Sequence, residues 1–144
     1  MPLHVSRISN TEQIFTHEDV DGTLRHFAVE RLFNYMKGLS FEVFDVVLEH
    51  AYVDVILQKR GVEDHRLKRL TPEQLMVPVL YLEGVTPGTH LLADGHHRYV
   101  VHSILGSRYI PSYIAPPKLW TRFMVNGIPE HVGKSQLNGF SGIH

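Results

Sequence analysis

Leu91-Leu-Ala-Asp-Gly-His-His-Arg-Tyr-Val-Val-His-Ser-Ile-Leu-Gly106 is the stretch that decides how this chain is read. Leu91 to Asp94 is a short apolar run that closes on a carboxylate. Gly95 breaks it. From His96 to Leu105 the apolar residues Val100, Val101 and Ile104 fall at helical spacing, and Gly106 supplies the stop. Tyr109-Ile-Pro-Ser-Tyr-Ile114 then returns to a strand pattern. The order is strand, glycine turn, helix, glycine stop, strand. A turn that opens a helix leaves several backbone amides without intrahelical partners, and the helix dipole adds positive potential there. That combination suits an anion. Gly95 lets the backbone approach a ligand without an intervening side chain. His96, His97 and Arg98 add donors at the same point, and the planar fork of Arg98 matches phosphate oxygens. Asp94, at the strand end, is placed to hold a divalent cation, to accept a hydroxyl proton, or to orient Arg98 or a histidine. The plain alternatives are an ordinary Asp-Gly turn and a His97 that caps or packs.

Working upstream, Val77-Pro-Val-Leu-Tyr-Leu82 and Thr89 to Asp94 read as strands joined by a turn cluster from Gly84 to Gly88. Thr71 is an N-cap candidate with Pro72 behind it at the first helical position. His50 to Arg60 reads as a helix with Val53, Ile56 and Leu57 on one face and Gly61 just past its end. Phe41 to Leu48 is β-branched and apolar, a strand. Before residue 40 the signals thin out. Leu3 to Ile8 alternates weakly. Asp21-Gly22 between Ile14-Phe15 and Leu24–Val29 predicts a hairpin, and Glu30 to Lys37 a short helix ended by Gly38. Downstream, Pro116-Pro117 reads as the close of the compact region, and Trp120 to Val125 as one more strand. Gly127, Gly133, Gly139 and Gly142 predict an extended or mobile tail. The reading divides the chain into a variable N-terminal segment, 1–40, a core, 41–116, and a C-terminal extension, 117–144.

Composition narrows the function classes. The 144 residues hold 14 Lys+Arg against 15 Asp+Glu, a formal net charge of −1, so the basic excess of a non-specific DNA binder is missing. With 43% hydrophobic and 20% charged residues a packed core is expected. No apolar run approaches the ~20 residues of a membrane span, and the start lacks the pattern of a secretory signal, so a cytoplasmic protein is expected. There is no cysteine, hence no thiol nucleophile and no Cys-ligated metal. The surplus residue is histidine, at 11. His90, His96, His97 and His102 are candidate metal ligands, but none makes a helical His-x-x-x-His pair; scattered surface histidines are the plainer reading. Gly133-Lys-Ser135 imitates the end of a P-loop, with the wrong glycine spacing.

On Pro78-Val-Leu-Tyr-Leu82, Leu91-Leu-Ala-Asp94, Gly95-His-His-Arg98 and Ile110-Pro111, taken in order and spacing, the chain resembles the ParB/sulfiredoxin superfamily. The likeness spans residues 41–116. It implies an α+β fold, a small mixed sheet with flanking helices, and nucleotide binding. Val62 to Leu70 resembles the sulfiredoxin segment in which a basic residue on a short helix contacts nucleotide, and Arg66 falls at that place. Sulfiredoxins carry a cysteine in the corresponding Gly-Cys-His-Arg turn; here the position is His96, so sulfiredoxin chemistry is excluded. ParB partition proteins continue into a helix-turn-helix reader and a dimerisation domain, for which this chain is short.

The resemblance implies a binder of a nucleotide (ATP, ADP or CTP) or another small phosphorylated ligand, with Mg2+ as companion and phosphoryl transfer or hydrolysis as the chemistry. Gly95, His96, His97, Arg98 and Arg66 are the binding candidates. Asp94, His97 and Glu49 are the catalytic candidates, and Asp94 the metal ligand. Two alternatives stay open: a ParB-like nuclease or DNA-binding accessory protein, and a non-enzymatic interaction or toxin-type module. Homodimerisation through the C-terminal tail is the expected mode of self-association, and no membrane partner is expected.

Overall fold

The computed structural model describes residues 12–59, 70–125 and 137–141. Within them the chain is α+β, with two four-stranded sheets and helices between and outside them. The strands are β1 (Ile14–Glu18), β2 (Leu24–Phe27), β3 (Phe44–Val47), β4 (Val79–Glu83), β5 (His90–Asp94), β6 (Tyr109–Ala115), β7 (Met124–Val125) and β8 (Leu137–Ser141). The helices are α1 (Val29–Gly38), α2 (His50–Lys59), α3 (Pro72–Leu75), α4 (His96–Ile104) and α5 (Pro117–Trp120).

The central sheet has the order β3-β6-β4-β5. β4 and β5 form an antiparallel hairpin, α4 crosses over, and β6 returns parallel to β4, with Leu80 opposite Tyr113. β3 closes the other edge, antiparallel to β6. This is the strand, turn, helix, strand order read from residues 77–114. Side chains alternate across the sheet. Leu80, Leu82, Ala93, Tyr113 and Ala115 point to one core, whereas Val79, Tyr81, Leu92 and Ile110 point to another. The second core is roofed by α2 and α4, through Ile56, Tyr99 and Val100.

The first core is where the segments outside 41–116 enter. β1 and β2 form the predicted hairpin, with Gly22 at φ 85° in the turn and Phe15 opposite Phe27. Both phenylalanines are fully buried, alongside Leu32 and Met36 of α1. Full burial of one such side chain stabilises by about 1.5–3 kcal/mol. β7 flanks β2, and β8 runs parallel to β1, so the glycine-rich tail contributes an extended strand.

Four sequence expectations need correction. Of Trp120 to Val125, read as one strand, only Met124–Val125 is extended, because Trp120 closes a helix and Thr121–Phe123 form a 3-10 turn. Pro116-Pro117 does not close the packed region: Pro117 opens α5, and Leu119, Trp120, Phe123 and Val125 are all buried beyond it. Proline at a first helical position costs no hydrogen bond, so Pro117 can start a helix just after β6 ends at Ala115. Gly38 does not act as the left-handed stop of α1. It is the last helical residue, and the reversal is made by Ser40 at φ 54°. The predicted strand at 41–48 is shorter than read, confined to Phe44–Val47, and Phe44 and Val47 are exposed on this edge strand. Leu3–Ile8, Val62 to Arg69 and Gly133-Lys-Ser135 lie outside the described residues.

Candidate functional site

The turn from Asp94 to Arg98 joins β5 to α4 as predicted. Gly95 is the N-cap at φ 98°, and no side chain caps the helix. A Cβ at Gly95 would stand 2.5 Å from Val79 Cγ1 and 2.9 Å from Arg98 Nη2. The glycine is thus required twice, by a left-handed backbone and by the packing of β4 and Arg98 against it. That space is filled by the protein's own atoms; the approach expected of a ligand is taken by a guanidinium.

Arg98 folds back over the turn. Its Nη2 donates to the carbonyl of Pro78 at 3.1 Å and lies 3.7 Å from Asp94 Oδ2. The side chain is 19% exposed. Burial pulls its pKa down, and the neighbouring Asp94 carboxylate opposes that only in part. Its Nε is buried and has no hydrogen-bond partner among the described residues. Among the described residues the guanidinium therefore has one carbonyl, one carboxylate beyond hydrogen-bond length, and an unmet donor. Of the roles open to Asp94, the geometry matches the orienting of Arg98. A cation on Asp94 would have to share the carboxylate with that guanidinium.

The other candidates disperse. His96 is 5% exposed, its ring stacked on Phe15 at 6.1 Å and 21°, so it ties the turn to the hairpin. His97 is half-buried beside it. Glu49 is exposed and does not join Asp94; its backbone N–H donates to the hydroxyl of Tyr99 at 2.8 Å, one helical turn below Gly95. Arg66 lies outside the described residues. His102 is a structural tie: its Nε2 donates to the carbonyl of Leu75 at 2.9 Å while Nδ1 meets the hydroxyl of Ser107 at 3.2 Å. That bond docks α3, where Thr71 is the N-cap and Pro72 follows as read, and Gln74 completes a capping box. Among the described residues, no group of three or more His, Asp or Glu is placed to hold a metal ion.

A second feature was not read from the sequence. At the other end of β5 a cavity of about 650 Å³ opens on the α2/α4 side of the central sheet. Val46, Tyr81, Leu92 and Ile114 form its floor, and Tyr52 and Tyr99 a wall, their rings edge to face at 5.5 Å and 87°. The size is that of a small-molecule site. Its lining comes from five strands and two helices spread from His17 to Ile114, so no local motif announces it. The sequence trace it does leave is a tyrosine alternating with apolar residues in β4.

No family model, curated protein or solved structure matches the chain, so what the site does is argued from its own geometry. Among the described residues, no helix is long and apolar enough to cross a membrane.

Proposed function

We propose that the chain is a ParB/sulfiredoxin-like module that binds a nucleotide or another small phosphorylated ligand at the Gly95–Arg98 turn. The observation that carries this reading is the state of Arg98. A largely buried guanidinium whose Nε donor is unmet among the described residues, with its carboxylate 3.7 Å away, is an under-compensated cation. Leaving a buried donor unmet costs about 1–3 kcal/mol, and an anionic oxygen at that point would remove the cost. The uncapped N-terminus of α4 adds potential of the same sign. In this arrangement Arg98 is held by Pro78 and Asp94 as a preset donor, and phosphoryl transfer or hydrolysis at the turn would draw on Asp94 or His97 as proton acceptor.

The test is a thermal-shift panel of ATP, ADP, CTP, GTP and inorganic phosphate, each with and without Mg2+. A true ligand at 100 times its Kd adds about 2.7 kcal/mol of stability. Arg98→Lys, which keeps the charge and loses the fork, should weaken binding about tenfold. Silence across the panel, or full nucleotide affinity in a folded Arg98→Ala variant, overturns the reading.

A further inference from the structure

We infer that the cavity at the N-terminal end of β5 is a second, separate binding site, for a small organic cation: an amine carried on an apolar, aromatic body. It is independent of the phosphate reading, because its lining shares no residue with Gly95–Arg98. The argument is one of charge complementarity. Among the described residues, no lysine or arginine lines the cavity. The single carboxylate of that lining, Glu49, makes no ion pair among the described residues and stands exposed at the edge. Three tyrosines, Tyr52, Tyr81 and Tyr99, surround the interior, and Tyr81 and Tyr99 are themselves 8% and 2% exposed, so the walls are fixed by the core. Tyrosine rings and hydroxyl oxygens present negative charge density, and ammonium groups are attracted to such surroundings. The remaining polar groups near them are His17 and His90, with Thr86 and Thr89. A phosphate or carboxylate ligand would meet Glu49 with no lysine or arginine among the described lining residues to offset it. A neutral apolar ligand would bind the floor of Val46, Leu92 and Ile114 but leave Glu49 unused.

Three indoles that differ only in the end group test this: tryptamine, tryptophol and indole-3-propionate, titrated into the full chain and followed by NMR chemical-shift changes. The expected order is amine, then alcohol, then acid, with the amine favoured over the alcohol about fivefold. Glu49→Gln, a change at an exposed position, should lower the amine-to-alcohol ratio while alcohol binding persists. Tyr81→Phe should leave that ratio in place, since the carboxylate remains. Tightest binding by the acid, an unchanged ratio in Glu49→Gln, or no shift with any of the three at millimolar concentration overturns the proposal. Each of these outcomes is separable from the nucleotide panel, which reads Arg98.

Discussion

At its C-terminal end β5 runs into a turn where the protein packs against itself; at its N-terminal end the same strand borders open space. Five residues separate the two situations. At the turn, Val79 and Arg98 crowd the Cβ side of Gly95, Phe15 stacks on His96, and Pro78 accepts from Arg98. At the cavity, Tyr81 and Tyr99 are buried and yet leave a volume beside them. The difference teaches that chemically suggestive side chains are not the same as accessible ones. The histidine-rich turn is a joint with one unsatisfied guanidinium donor, whereas the tyrosine-lined end is a preformed container.

Substitutions can break or sharpen that contrast. If the turn is a packed joint, Gly95→Ala strikes both a backbone at φ 98° and a 2.5 Å contact with Val79, and should destabilise the protein by about 3 kcal/mol in urea unfolding. A loss below about 1 kcal/mol would mean the joint is loose. Next comes alkaline pH, which should read the cavity end. Burial pushes the hydroxyl pKa of both Tyr81 and Tyr99 above the ordinary value. The unfolded chain then releases these protons near pH 10, before the folded one does. Stability is full below that pH and falls as pH rises beyond it. Urea midpoints at pH 9, 10 and 11 should decline, less steeply in Tyr81→Phe. A smaller effect is expected from Tyr99→Phe, which deletes the hydroxyl that accepts from Glu49 N–H and should cost about 1 kcal/mol. A change in stability of similar size, about 1 kcal/mol, is expected for Asp94→Asn, which takes a carboxylate away from a largely buried guanidinium. Removing the carboxylate at 3.7 Å leaves Arg98 still less compensated, so phosphate affinity should rise severalfold. A fall in Mg2+-dependent binding instead would assign Asp94 to a cation.

The sequence was most legible where neighbours in the chain are neighbours in space. β4, β5, α4 and β6 were read from alternation and glycine punctuation, and the start of α3 from Thr71 followed by Pro72. Legibility failed where partners are distant. Trp120 donates to the carbonyl of Glu83, and β8 pairs with β1 across most of the chain; neither leaves a local trace. Proline misled for a physical reason, since a residue that breaks most elements is well suited to open a helix, as Pro117 does just after β6 ends. At the turn the sequence shows which residues are present but not where they point. Which way Arg98 points depends on Val79 and Pro78, some twenty positions earlier.

Trp120 has a practical consequence. It is the lone tryptophan of the chain, 5% exposed, edge-on to Phe27 of the hairpin at 5.7 Å and bonded to the end of β4. Its fluorescence therefore reports the seam between the two layers. A red shift in emission that precedes the loss of helical circular dichroism would show the hairpin lifting away while the central sheet still stands, an optical signal that needs no added label.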